Sequence, residues 1–256
     1  MKTKLLLAFS AILAALTFLL DPVSQDPDYH QFADARVILG IANFWNVVSN
    51  LPFLVVGGAG LWFLRIKERR GIIHDLYPAY LIFFGGVLLT GLGSSWFHLA
   101  PDNSTLVWDR LPMTIAFMAL LTIILGEHVF EKSAGRLLGP LLLVGAASVL
   151  YWHYTESVGA GDLRAYAIVQ FLPMILIPII LLAYPSRFSA QKTYWGMILL
   201  YALSKILEYF DYAVYETGTL LSGHSIKHVV AAAAPALLLY AIKRRQLPEN
   251  REDCDD

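Results

Sequence analysis

Seven long apolar runs recur through this chain and leave it few folds to choose from. They cover residues 41–63, 77–99, 106–128, 137–152, 164–184, 194–212 and 224–242. A bilayer's hydrocarbon core is about 30 Å thick and takes about 20 apolar residues as a helix. Inside it every backbone N–H and C=O must find a partner within the protein, which leaves helices or a closed barrel. The alternating apolar and polar pattern of barrel strands is absent. The sequence therefore predicts an all-α, polytopic membrane protein, a seven-transmembrane-helix bundle with an extra N-terminal hydrophobic segment. Composition agrees: 57% of the 256 residues are hydrophobic and 15% charged, against about 25% charged in soluble domains. A net charge of −1 points to no nucleic-acid partner. The one cysteine, Cys254, excludes an intrachain disulfide and a thiolate metal cluster.

The ends and the polar breaks complete the plan. Residues 1–20 open with Lys2 and Lys4 and continue as a short apolar run, readable as a cleaved signal peptide or as an extra membrane anchor. Residues 21–40 hold Asp21, Asp26, Asp28, His30, Asp34 and Arg36 and read as an exposed polar linker. Residues 41–245 form the seven-helix domain and 246–256 a polar tail. Basic residues cluster after the first, third, fifth and seventh runs. They are Arg65, Lys67, Arg69 and Arg70, then Lys132 and Arg136, then Arg187 and Lys192, then Lys243, Arg244 and Arg245. The positive-inside rule places these regions in the cytoplasm. His98, at the end of the second run, Asp109, opening the third, and His224, opening the seventh, then share the outer face.

That shared face is where the chemistry gathers. His224 and His228, at i and i+4, project from one side of a helix about one turn apart. Two such imidazoles can hold one metal ion, and His98 is the candidate third ligand. Three histidines with an open fourth position make a hydrolytic zinc site. Helix-packing histidines bonded to hydroxyls, or a haem-ligating pair, remain alternatives for the spacing alone. Ser94 lies one turn before His98, and Asp109 leans over the same pocket. The carboxylate could orient a water and take its proton, while the hydroxyl could donate to an oxyanion. Against that, Ser94 could bond its own helix carbonyls and Asp109 could serve as a helix-start residue or pair with Arg110. Lys205 and Glu208 are spaced to pair within the bundle, and Lys227 falls off the histidine face and snorkels. Asn43, Asn46 and Asn50 share a face that looks into the bundle.

Taken in order, these residues resemble the alkaline ceramidases, within the wider membrane-hydrolase superfamily that includes the progestin and adipoQ receptors. The motifs are Phe-Trp-Asn-x-x-Ser-Asn at Phe44–Asn50, Gly-Ser-x-x-Phe-His at Gly93–His98, Asp-x-Leu-Pro-Met at Asp109–Met113 and His-x-x-x-His at His224–His228. Arg110 stands where the eukaryotic enzymes have Glu. The resemblance covers about residues 28–245. It implies a seven-helix bundle with one zinc ion held by His98, His224 and His228, with Ser94 and Asp109 acting on the oxyanion and the water. The implied reaction is hydrolysis of the ceramide amide, with a ceramide-like lipid amide as substrate and the membrane as its source. Eukaryotic members also bind calcium through an acidic segment. Here the matching glutamate position is Asn43 and the tryptophan- and glutamate-containing motif is absent, which leaves Asp26, Asp28 and Asp34 as candidate calcium ligands. The short polar loops and hydrophobic N-terminal segment suit a multi-pass protein of a bacterial inner membrane, with the active site toward the periplasmic face. Two other readings stay open. One is a non-enzymatic lipid-binding receptor or sensor on the same scaffold; the other is a transporter, motivated by Lys205, Glu208 and Asp211.

Overall fold

The structure, a computed structural model, describes residues 1–66, 71–130, 133–186, 188, 191–218 and 220–245. Lys67, Arg69, Arg70, Lys132, Arg187 and Cys254 lie outside the described residues. The described chain folds into α-helices: α1 Lys2–Thr17, α2 Phe44–Val48, α3 Leu51–Ile66, α4 Tyr77–Leu99, α5 Asn103–His128, α6 Leu138–Ser157, α7 Arg164–Ala183, α8 Gln191–Tyr209, α9 Asp211–Glu216 and α10 Gly223–Arg244.

By length and hydropathy, 6 of the described helical segments can cross a membrane: Phe44–Ile66, His74–Leu99, Asn103–His128, Ala134–Ser157, Arg164–Ala183 and Gly223–Arg244. The sequence predicts seven. The run that falls short is α8, a 19-residue helix that carries Lys192, Lys205 and Glu208. The N-terminal helix α1 has 16 residues, or about 24 Å at 1.5 Å each, less than the roughly 30 Å of hydrocarbon. It lies along α7, where Lys2 Nζ donates to the Ala183 carbonyl at 3.1 Å. Helix α7 continues through Pro173 and Pro178. Packing against neighbours keeps such prolines tolerable in membrane helices.

Helix α4 packs along α3 and α5, α10 sits on α8 and α3, and α6 and α7 lie against α5. Close approach of α4 and α5 depends on Gly93, where a Cβ would overlap the Trp108 backbone carbonyl. The entry to α5 is fixed by a capping box: the Asp102 carboxylate accepts from the Ser104 and Thr105 N–H groups at 2.7 and 2.8 Å. Leu143, Leu182 and Leu199 are exposed on the outside of the bundle, as a lipid-facing surface requires.

Residues 21–36 differ from the exposed linker that their polarity predicts. Gln25, Phe32 and Asp34 are buried. The segment is tied down by backbone partners, with Leu163 N donating to Val23 O at 2.8 Å and Gln25 N to Glu156 Oε1 at 2.5 Å. Arg164 reaches the Phe18 and Leu20 carbonyls while also forking onto Asp162, and that fork holds the Asp162 carboxyl down to about 2. The three acidic residues considered for calcium are engaged with the chain itself. Asp34 binds Arg36 through both oxygens, Asp26 caps the 3-10 turn Pro27–His30, and Asp28 accepts from Gln31.

The opposite end of the bundle is locked by a buried ion pair. Arg245 forks onto Glu127 at 2.6 and 3.1 Å and donates to the Gly71 carbonyl at 2.7 Å. Tyr194 donates to Glu127 Oε2 at 2.6 Å, and Tyr80 bridges Glu127 and Arg245. The pair joins α4, α5, α8 and the end of α10. Arg245, counted in the sequence among the cytoplasmic basic residues, is 5% exposed and Glu127 1%. Removing one member strands the other as a buried charge, at a cost of about 3–5 kcal/mol. Glu127→Leu should therefore lower unfolding stability in detergent by that amount, and the double variant Glu127→Leu with Arg245→Met should recover much of it. A double variant no more stable than either single one would contradict this.

Candidate metal centre

The centre forms where the last turn of α4 meets the first two turns of α10. Helix α10 begins at Ser222, whose hydroxyl accepts from Ser225 N at 3.3 Å. Asp211, at the start of α9, accepts from the His224 backbone N–H at 2.6 Å and from Ala33 N–H at 2.9 Å. A carboxylate there meets the free N–H groups and positive dipole end of α10. It also fixes the buried segment that carries Phe32.

His98, His224 and His228 converge on one point. Each offers a ligand atom, and these atoms all lie within 4.8 Å of one another. Ring centroids are 4.9 to 5.0 Å apart, and all three rings are buried. Among the described residues this is the one His, Cys, Asp or Glu group whose ligand atoms converge so closely. Phe32 closes one side, edge-on to His98 and His224 at 4.6 and 4.7 Å.

The hydrogen bonds show what these rings lack. His98 Nδ1 and His224 Nε2 are buried without a hydrogen-bond partner. A buried ring nitrogen left unpaired is costly, and a metal ion is a natural partner for neutral imidazole. His228 Nδ1 lies 2.8 Å from Ser49 Oγ, which donates its own hydrogen to the Asn46 carbonyl at 3.2 Å. The Nδ1–H then donates to Ser49, and Nε2 keeps its lone pair. Asn46 in turn accepts from Ser225 Oγ at 2.7 Å and donates to Asp34 O at 3.1 Å, and Asn43 donates to His98 O at 2.9 Å. The asparagine face expected to look inward is thus the scaffold of the centre.

Ser94 and Asp109 line the same space as the histidines, in a cavity of about 470 Å³. The Ser94 hydroxyl neighbours the Asp109 carboxylate. It is Ser95 that bonds back to its own helix, at Gly91 O over 2.8 Å. Arg110 turns to an aromatic cage, 4.2 Å from the Trp152 ring and 4.5 Å from that of Tyr166, and donates to Gln25 Oε1 at 2.6 Å. From Asp109 the cavity runs along α5 to Ile124, a distance of about 22 Å, past mostly apolar side chains such as Phe83, Leu120 and Met197.

Lys205 and Glu208 pair as their spacing predicts, at 2.6 Å. Lys227 does not snorkel: it bonds Glu208 inside the same cavity. Ser49 falls inside the Phe44–Asn50 motif, which gives it no role. The cluster of amides around Ser49 was a usable signal, whereas nothing local marks Phe32.

Residues 34–255 match the family model described as Ceramidase. The chain belongs to the ceramidase family. No curated protein matches it. Membership brings with it ceramide hydrolysis as the family's activity, a lipid amide as substrate and a membrane setting. In this ceramidase-family chain the three buried histidines can hold a metal ion.

If Ser49 orients His228, Ser49→Ala should weaken divalent-metal binding by about 10–100-fold, the usual effect of losing such a partner, with helix content unchanged. Metal titration of the stripped protein checks this; unaltered affinity would remove that role.

Proposed function

We propose that this chain is a zinc-dependent intramembrane hydrolase that cleaves the amide bond of ceramide-like lipids to a sphingoid base and a fatty acid. One observation carries the reading: the histidine triad, Ser94 and Asp109 share the polar end of a long apolar cavity. His98, His224 and His228 would hold the ion, and an all-imidazole donor set suits zinc. When bound, zinc polarises the amide carbonyl and lowers the pKa of water.

The chain's own groups carry the remaining steps. The apolar walls receive the acyl chain and keep bulk water out, which strengthens every charge interaction at the reacting atoms. Asp109 takes a proton from the attacking water, whose oxygen bonds to the carbonyl carbon. The Ser94 hydroxyl donates to the oxyanion as charge develops there. Asp109 then returns the proton to the amide nitrogen, the C–N bond breaks, and the amine leaves with the proton while the acyl half leaves as the acid.

In this reading residues 41–245 are the seven-helix domain, α8 is the sixth of the seven crossings, and α1 is a signal peptide or an extra anchor. Pairing of Lys205 and Lys227 with Glu208 inside the bundle supports α8 as a membrane helix, because charges in hydrocarbon face the interior and pair. The membrane is a bacterial inner membrane with the site toward the periplasm. Cysteine labelling from outside should then reach a probe within residues 154–163 and miss one near Arg69. The opposite pattern would move the site to the cytoplasmic face.

Asp109→Asn should retain zinc and fold while losing about 100-fold or more in rate. Ser94→Ala should also retain zinc and lose up to a similar factor. The assay is release of free fatty acid from N-acyl lipids, read by mass spectrometry, with bound zinc measured on each variant. Full activity in Asp109→Asn would remove it as the base. Absence of turnover by zinc-replete wild-type protein on any lipid amide or ester would favour a lipid-binding receptor.

A further inference from the structure

The cavity has a closed end. On α4 its lining runs from His98 to Phe83, and on α5 from Asp109 to Ile124. Each span is about 22 Å along its helix, so two independent walls give one depth. Ile177 on α7 and Tyr194 on α8 line the same deep end. Phe83, Ile124, Ile177 and Tyr194 are all buried and belong to one core cluster. One turn deeper, Tyr80, Glu127 and Ile180 are buried too, and none of them lines the cavity.

That deeper layer is the ion-pair lock. Tyr194 donates to Glu127 Oε2 at 2.6 Å, and Arg245 forks onto the same carboxylate. A tail pressing past Tyr194 would have to break a hydrogen bond to a buried charge, which is costly. The floor is therefore stiff, unlike one made of apolar side chains alone.

Hydrophobicity by itself selects no length here, because the lipid tails outside are as apolar as the cavity wall. Fit selects it. A tail that falls short leaves lining atoms without contacts, and one that overruns is forced into a packed layer.

Resting on the amide-hydrolase reading, we infer that Phe83, Ile124, Ile177 and Tyr194 form a length stop for the acyl tail. At roughly 1.2 Å per bond of an extended chain, the depth takes acyl tails of about 16–18 carbons and rejects longer ones.

The test uses zinc-replete wild-type protein and N-acyl lipids that share one amine half. Their saturated acyl tails range from half the depth of the cavity to half as long again. Hydrolysis and binding are both read, the second by native mass spectrometry. kcat/KM should change little with length up to the stop, then fall by about 10–100-fold within a few further carbons, the scale of forcing extra methylenes into a packed interior. Ile124→Ala removes three side-chain carbons from the floor and should move the cut-off up by about two carbons. Ala116 lines the cavity about 10 Å below Asp109 along α5. Ala116→Phe should bring the cut-off down to roughly half the length. A merely structural role would lower turnover of every length alike and leave the cut-off in place in both variants, which would overturn the inference. Ala116→Phe decides alone if Ile124→Ala does not fold. A cut-off that follows the tail of the amine half, varied in a second series, would overturn the assignment to the acyl tail. Turnover without a cut-off would keep the hydrolase and overturn the stop. A cut-off in binding without turnover would keep the stop and overturn the hydrolase. Neither binding nor turnover would overturn both.

Discussion

An imidazole nitrogen buried in a helix bundle must have a partner, and three such rings at one point make that requirement hard to meet with protein atoms alone. His228 meets it through Ser49, while main-chain bonds hold His98 and His224 in place. Ser49 takes His228 Nδ1, Asn43 takes the His98 carbonyl, and Asp211 takes the His224 N–H. His98 Nδ1 and His224 Nε2 are buried without a partner. Much of the surrounding structure serves that arrangement. Helix α2 is a short, separate turn that supplies Asn46 and Ser49, and residues 21–36 fold back so that Phe32 closes the rings off.

The two ends of the bundle use buried polarity differently. At the Arg245 end an arginine fork, a carboxylate and two tyrosine hydroxyls satisfy one another, which rigidifies and leaves nothing for a ligand. At the histidine end the inventory is incomplete: ring nitrogens are open and two ammoniums share one carboxylate. Tyr80 and His98 lie on the same helix α4, about 27 Å apart along it. One helix therefore ties the rigid end to the open one.

What the sequence discloses follows the range of each interaction. Apolar run length gave the helices, and i, i+4 spacing gave the His224–His228 pair, because both are local. Topology set His98 and Asp109 on the same face as His224, spacing set Ser94 one turn from His98, and the structure brings all five to one cavity. Pairings across more than a hundred residues left no local mark: Arg245 with Glu127, Ser49 with His228, and Asp211 with Ala33. Polarity misled at residues 21–36, where charge suggested exposure. Asp34 is buried there because Arg36 neutralises it from two residues away. Counting charges likewise set α8 apart from the other long helices, although those charges pair inside the bundle.

Gly93 is the residue next to Ser94, and the carbonyl its missing Cβ makes room for belongs to Trp108, next to Asp109. The separation of serine and aspartate is thereby set by two main chains in contact, with no side chain between them to vary. The apolar cavity farther along α5 is walled by side chains, which can be exchanged one at a time. A lineage could retailor the lipid tail it accepts by repeated substitution there while the spacing of the reactive pair stayed fixed. Almost any replacement of that single glycine would push the two helices apart and change the spacing at once.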